Sequence, residues 1–138
     1  MPELRWQLTF EGKVSPEDDM GARMTVESMA PIPAGLDAAL TQGGRSATLS
    51  ATVETDEYGG FTENGEIAFG SGTIFYSTRG DGFIEETVEP EIQQGCVIRQ
   101  VDGGSGIFEG ATGYIVSTFT VDEDATICDS QSAVIFTM

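Results

Sequence analysis

Leu4-Arg5-Trp6-Gln7-Leu8-Thr9-Phe10-Glu11 opens the chain with strict alternation. Leu4, Trp6, Leu8 and Phe10 share one side of an extended backbone, and Arg5, Gln7, Thr9 and Glu11 share the other. A period of two places successive side chains on opposite faces of a strand. Residues 4–11 therefore predict a half-buried β-strand, which Ser15-Pro16 ends. The same signature recurs along the chain, and helical periodicity is nearly missing.

A second strand is expected from about Gly21 to Met29, with Met24 and Val26 on one face. Ala30 to Gly44 carries two prolines and three glycines around Leu36-Asp37-Ala38-Ala39-Leu40. It reads as a loop with at most one helical turn, either a flap over an opening or an edge packed on the core. A third strand, Arg45 to Glu54, alternates Ala47, Leu49, Ala51 and Val53 with Thr48, Ser50 and Thr52. Tyr58 to Gly65 holds Gly59-Gly60 and Asn64-Gly65, both turn signals. The fourth strand is read from Glu66 to Thr78, with Gly70 and Gly72 inside it as bulges or bends. Gly80-Asp81-Gly82 turns into a fifth, Phe83 to Val88, which Pro90 ends. A sixth spans Gly95 to Val101, a seventh Gly113 to Asp122 and an eighth Thr126 to Thr137, with Asp122 to Ala125 a tight hairpin. Eight strands joined in succession predict one all-β domain over residues 1–138, an eight-stranded antiparallel barrel with a small apolar cavity. Closure also removes the sheet edges, which this sequence does little else to protect.

Composition narrows the function. The chain has 138 residues, 39% of them hydrophobic, and six basic residues face 23 acidic ones for a net charge of −17. Nucleic acids and anionic membranes attract proteins through Lys and Arg, so neither is expected as a partner. The acids gather in turn-like places: Glu17-Asp18-Asp19, Asp56-Glu57, Glu89 and Glu91, and Asp122-Glu123-Asp124. None of these runs matches a calcium-binding loop, and no metal is expected. Histidine is absent, which removes Ser-His-Asp and Cys-His machinery and His-ligated zinc. Cys96 and Cys128 fall on strands that are not neighbours, roughly 9–10 Å apart, beyond the ~7 Å a disulfide spans. Two buried free thiols are expected. The N-terminus Met1-Pro2-Glu3-Leu4-Arg5 lacks the basic and apolar stretches of a signal peptide, so the chain reads as cytoplasmic.

The most specific segment is Gly103-Gly104-Ser105-Gly106-Ile107-Phe108-Glu109-Gly110-Ala111-Thr112-Gly113, with five glycines in eleven residues. Ile107 and Phe108 are placed to tuck inward and plug a barrel end. No dinucleotide loop is implied, because Tyr114 to Val121 alternates as a strand rather than a helix. These eleven residues resemble the signature of the allene oxide cyclase-like and dirigent-like barrel superfamily, with Thr112 where the plant enzymes carry an aromatic residue. The resemblance implies a calycin-like barrel with an apolar cavity, often as a homodimer or homotrimer. It also implies relatives that cyclise oxidised fatty acids, orient phenolic radicals or close spirotetronates. The plant enzymes' Glu-x-Asn on the first strand corresponds here to Gln7-Leu8-Thr9, without the carboxylate.

With the apolar stripes inward, Trp6, Leu8, Phe10, Met24 and Phe119 are candidate ligand contacts, and each is equally suited to a filled core. Aligning the first strand with the family would instead turn Gln7 and Thr9 inward and leave Trp6 and Phe10 outside. Arg99 stands mid-strand in a cation-poor chain. It reads either as a salt-bridge partner of Glu85 or Glu86 or as an interior donor that polarises a substrate carbonyl. Tyr76 and Tyr114 are further candidate donors, and Asp129 is either outward or a buried acid. Three functions remain open. The first is a cofactor-independent cyclase or isomerase of a polyene, polyketide or oxylipin-like molecule, with a place in bacterial secondary metabolism. The second is a binding or dirigent-like protein without chemistry, and the third a packed structural barrel.

Overall fold

A computed structural model describes residues 3–19 and 21–138; Met20 and the first two residues of the N-terminal stretch, Met1 and Pro2, lie outside them. Nine strand segments form one sheet: β1 (Glu3–Pro16), β2 (Arg23–Pro31), β3 (Ser46–Thr55), β4 (Gly60–Phe69), β5 (Gly72–Thr78), β6 (Gly82–Glu86), β7 (Gln93–Gly106), β8 (Thr112–Val121) and β9 (Thr126–Phe136). A four-residue helix, α1 (Ala38–Thr41), interrupts the β2–β3 connection. Every pairing is antiparallel, and β9 returns to β1 over Glu3–Lys13, which closes the sheet. β5 and β6 both lie between β4 and β7, so the nine segments fill eight positions of an up-and-down barrel.

The total of eight strands conceals a change of boundaries. Tyr58 to Gly65, read as a turn, is mostly the first half of β4. The expected strand Glu66–Thr78 is a hairpin that reverses at Gly70-Ser71. The expected fifth strand, Phe83–Val88, is β6, which continues the position of β5 after Arg79–Asp81. Asn64-Gly65 carries a turn signal but stays extended for a packing reason. A Cβ at Gly65 would stand 2.5 Å from the Ser50 carbonyl and 2.7 Å from the Ala51 Cβ, so a bare backbone is what this crowded spot admits.

Alternation sorts the faces as β1 announced. Leu4, Trp6, Leu8 and Phe10 are all buried, and their partners Ile135, Ala133, Gln131 and Asp129 on β9 are buried with them. The family-based alternative, with Gln7 and Thr9 inward, does not hold: both are exposed.

One end of the barrel is filled. Phe108 is fully buried, Phe69 packs on it at 5.6 Å, and Trp6 meets Phe69 edge-on at 5.1 Å. The glycine-rich segment makes this possible. Its first residues belong to β7, and a Cβ at Gly104 would stand 2.7 Å from that of Phe108. Gly106, at φ 62°, starts the turn that aims the ring inward. The β2–β3 connection packs on the same end. Leu40 is fully buried, the Ser71 hydroxyl donates to the Ala39 carbonyl at 2.7 Å, and the backbones of Gly43 and Gly70 meet. This segment is therefore an edge packed on the core through Ile32 and Leu40, not a flap over an opening.

Gly43→Ala should drive a methyl into the Gly70 backbone and cost about 1–3 kcal/mol by overpacking, whereas Gly35→Ala, with open space around it, should cost almost nothing. Urea unfolding midpoints check the pair; equal midpoints would show that this seam contributes nothing to stability.

Candidate functional site

The opposite end is not filled. A cavity of about 110 Å³ opens there among Val14, Met24, Val26, Val53, Phe61 and Phe119, with Arg99 and Glu63 also in its wall. It is smaller than the roughly 300 Å³ at which ordinary ligand pockets begin. It is also below the ~150 Å³ that accepts a benzene ring in a dry engineered cavity. It therefore suits the end of a chain, with the rest of a larger molecule outside. Phe61 and Phe119 face each other edge-on at 5.8 Å across it.

Between this cavity and the filled end lies a buried polar layer. Arg99 on β7 donates through Nε to Glu63 Oε1 at 2.7 Å and through Nη1 to Asp129 Oδ2 at 3.1 Å. The Tyr76 hydroxyl donates to Glu63 Oε2 at 3.1 Å, and the Arg99 guanidinium lies 5.1 Å from the Tyr76 ring centre. The Ser117 hydroxyl donates to Asp129 Oδ1, and Gln131 Nε2 donates to Asp129 Oδ2 at 3.2 Å. Arg99, Glu63 and Asp129 are each at most 5% exposed. Burial works against the charge of Arg99, but Glu63, followed by Tyr76 and Asp129, more than offsets it, so the guanidinium holds its proton above its ordinary range. Burial, reinforced by the Glu63 charge, pushes the Tyr76 phenol well above the usual tyrosine value.

Register explains the convergence. Glu63, Arg99 and Asp129 occupy inward positions on β4, β7 and β9, strands that do not pair with one another. The bonds therefore cross the barrel interior instead of running along one ladder. Glu85, expected as an Arg99 partner, bonds Gln94 on the exterior, and Glu86 is exposed. Sequence reading missed Glu63 because it lay inside the supposed turn. The odd positions Phe61, Glu63, Gly65, Ile67 and Phe69 form one inward stripe, and a lone acid in such a stripe is the mark of a partner for a lone buried cation.

The candidate residues separate into groups. Tyr76 and Arg99 belong to the polar layer. Met24, half-buried, and Phe119 line the cavity. Trp6, Leu8 and Phe10 are packed core away from the cavity wall. Tyr114 is a correction: it points outward at 46% exposure and lies under Arg79, 5.6 Å from ring centre to guanidinium. Parity explains it, because Tyr114 and Phe119 are five residues apart on one strand and cannot share a face. Val116 is outward for the same reason, and Ile115 takes the interior place. The cysteines are free, as expected, but not buried. Both are half-exposed on the outer face, and burial, then Glu11, raises the Cys128 thiol. Among the described residues, no three His, Cys, Asp or Glu side chains are grouped to hold a metal ion, and no helix is long and apolar enough to cross a membrane.

Arg99→Leu should strand two buried carboxylates and destabilise the fold by about 3–5 kcal/mol, and replacing Glu63 and Asp129 by Leu as well should recover most of that loss; urea denaturation measures both. A triple variant no more stable than the single one would refute the cause. The raised folded-state pKa of Tyr76 means that its contribution is intact below about pH 10 and is lost as pH rises further. Titrating phenolate absorbance should give equal amplitudes for the native protein and for Tyr76→Phe until unfolding begins. An extra phenolate near pH 10 in the folded native protein would count against this burial.

No family model matches the sequence, and no curated protein matches it as a relative.

Proposed function

We propose that the barrel takes the end of an apolar small molecule into its open mouth, orients it against Arg99, and acts as a cofactor-independent cyclase or isomerase. The observation that carries this reading is the pairing of an apolar cavity with a charged floor. Nine of its thirteen lining residues are apolar, Thr55 and Gln93 add polar groups, and Arg99 and Glu63 bring charge into the wall. Arg99 spends Nε and Nη1 on its two carboxylates, and Nη2 bonds no side chain among the described residues. That amino group is the donor available to a ligand carbonyl or hydroxyl. A preorganised donor in a water-poor site stabilises charge that develops on such an oxygen. Holding a flexible polyene, polyketide or oxylipin-like chain in a reactive fold contributes through orientation, up to ~7–11 kcal/mol in ideal cases. Bonds are then rearranged within the substrate, and no base, metal or nucleophile is required.

A second reading, binding or stereochemical guidance without chemistry, draws on the polar layer itself. Glu63 and Asp129 accept from Arg99, Tyr76, Ser117 and Gln131, so neither stands free as a base.

Incubation with conjugated polyenes and carbonyl-bearing oxylipin-like chains, followed by chromatography, distinguishes the two. The expected result is conversion to a cyclic or isomeric product, and its loss in Val121→Phe, which fills the mouth. Ligands that bind and are recovered unchanged favour the second reading. No binding at all would leave a structural barrel and reject both.

A further inference from the structure

The four connections at the open end are residues 17–22, 56–59, 87–92 and 122–125, and they carry ten of the chain's 23 acidic residues and no Lys or Arg. The three at the filled end, residues 32–45, 70–71 and 107–111, carry two acids, Asp37 and Glu109, and one base, Arg45. A surface charged only for solubility has no reason to concentrate at one pole of a barrel. Fold construction accounts for some of the ten. Asp18, Asp56 and Asp122 accept hydrogen bonds from backbone amides of their own turns, and Glu17 pairs with Arg23. Among the described residues, the side chains of the other six, Asp19, Glu57, Glu89, Glu91, Glu123 and Asp124, have no hydrogen-bond or ion-pair partner. They set a negative potential over the mouth of this cavity.

The second observation is at the floor. Arg99 is 3% exposed, lines the cavity, and has an Nη2 without a side-chain partner among the described residues. An arginine at the base of an apolar shaft would ordinarily suggest a carboxylate ligand. Here two carboxylates already face its single charge, so a third would meet net repulsion at the floor as well as at the rim. What remains to Nη2 is a neutral acceptor.

Resting on the container reading above, we infer that this site selects apolar ligands whose polar end is uncharged or cationic, and that any ligand oxygen reaching Nη2 is an uncharged acceptor. It turns away chains that bear a free carboxylate. An oxylipin would then be taken as an ester, alcohol or ketone, not as the acid. Arg23, paired with Glu17, and Lys13, whose Nζ donates to the Asp124 carbonyl at 3.2 Å, are too few to balance the ten acids at this end; low-dielectric walls and so unbalanced a rim focus a field, and effects of 10–10³-fold on association are on the order expected.

The test uses the whole chain and three probes of equal tail length: octanol, octylammonium and octanoate. Binding is followed through methyl resonances of Val26, Val53 and Val121 at about 20 and 500 mM salt, where the Debye length falls from roughly 20 Å to 4 Å. Octanol should bind independently of salt, octylammonium should weaken as salt rises, and octanoate should bind at least about tenfold more weakly than octanol at low salt. Neutralising the six unbonded acids to Asn or Gln should weaken the salt dependence severalfold while leaving octanol affinity and thermal stability in place. Octanoate binding as tightly as octanol, or no change on neutralisation, overturns the charge selection and leaves the container standing. Failure of all three probes rejects the container, and the inference falls with it.

Discussion

The guanidinium of Arg99 is the strut on which the interior depends. It reaches from β7 to a carboxylate on β4 and another on β9. None of these strands is hydrogen-bonded to the others, so the ladder alone does not set how far apart they stand across the barrel. Buried ion pairs of this kind contribute little net stability compared with well-packed hydrocarbon, because desolvation cancels most of the attraction. What they supply is registration. Slipping any of the three strands by one residue would turn its charge to the outside and leave the others unpaired in a low-dielectric interior. The polar layer thus pins the register of a sheet whose hydrophobic alternation would tolerate more than one pairing.

The two halves of the barrel follow from this layer. On one side aromatic rings interlock and leave no room. On the other, aliphatic and aromatic side chains with Thr55 and Gln93 line a short shaft, and Arg99 and Glu63 stand in its wall. A barrel of eight strands is wide enough to be either filled or hollow. This chain is filled over most of its length and hollow at one end, so the choice between packed core and ligand site is made residue by residue.

Legibility in the sequence tracked how regular the local pattern was. β1 was plain because four large apolar residues alternate with four polar ones. The plug was plain because glycines crowd around Phe108. The polar layer was only half visible: Arg99 stood out as a lone cation, but Glu63 lay beside Asn64-Gly65, whose turn chemistry is overridden by close contact with β3. Tyr114-Ile115-Val116 is apolar throughout, so no alternation marks which residue faces in. The pairing of Ile115 with Arg99 and Ala133 settles it, and that pairing is a long-range fact. The concentration of acids at one pole likewise needs the order of the strands before it becomes visible, although every acidic run was plain in the chain.

The Phe108 plug has a consequence for traffic. A tube stoppered at its far end is a cul-de-sac. On the proposed container reading, a ligand must back out along the path by which it entered, so departure of one occupant precedes arrival of the next.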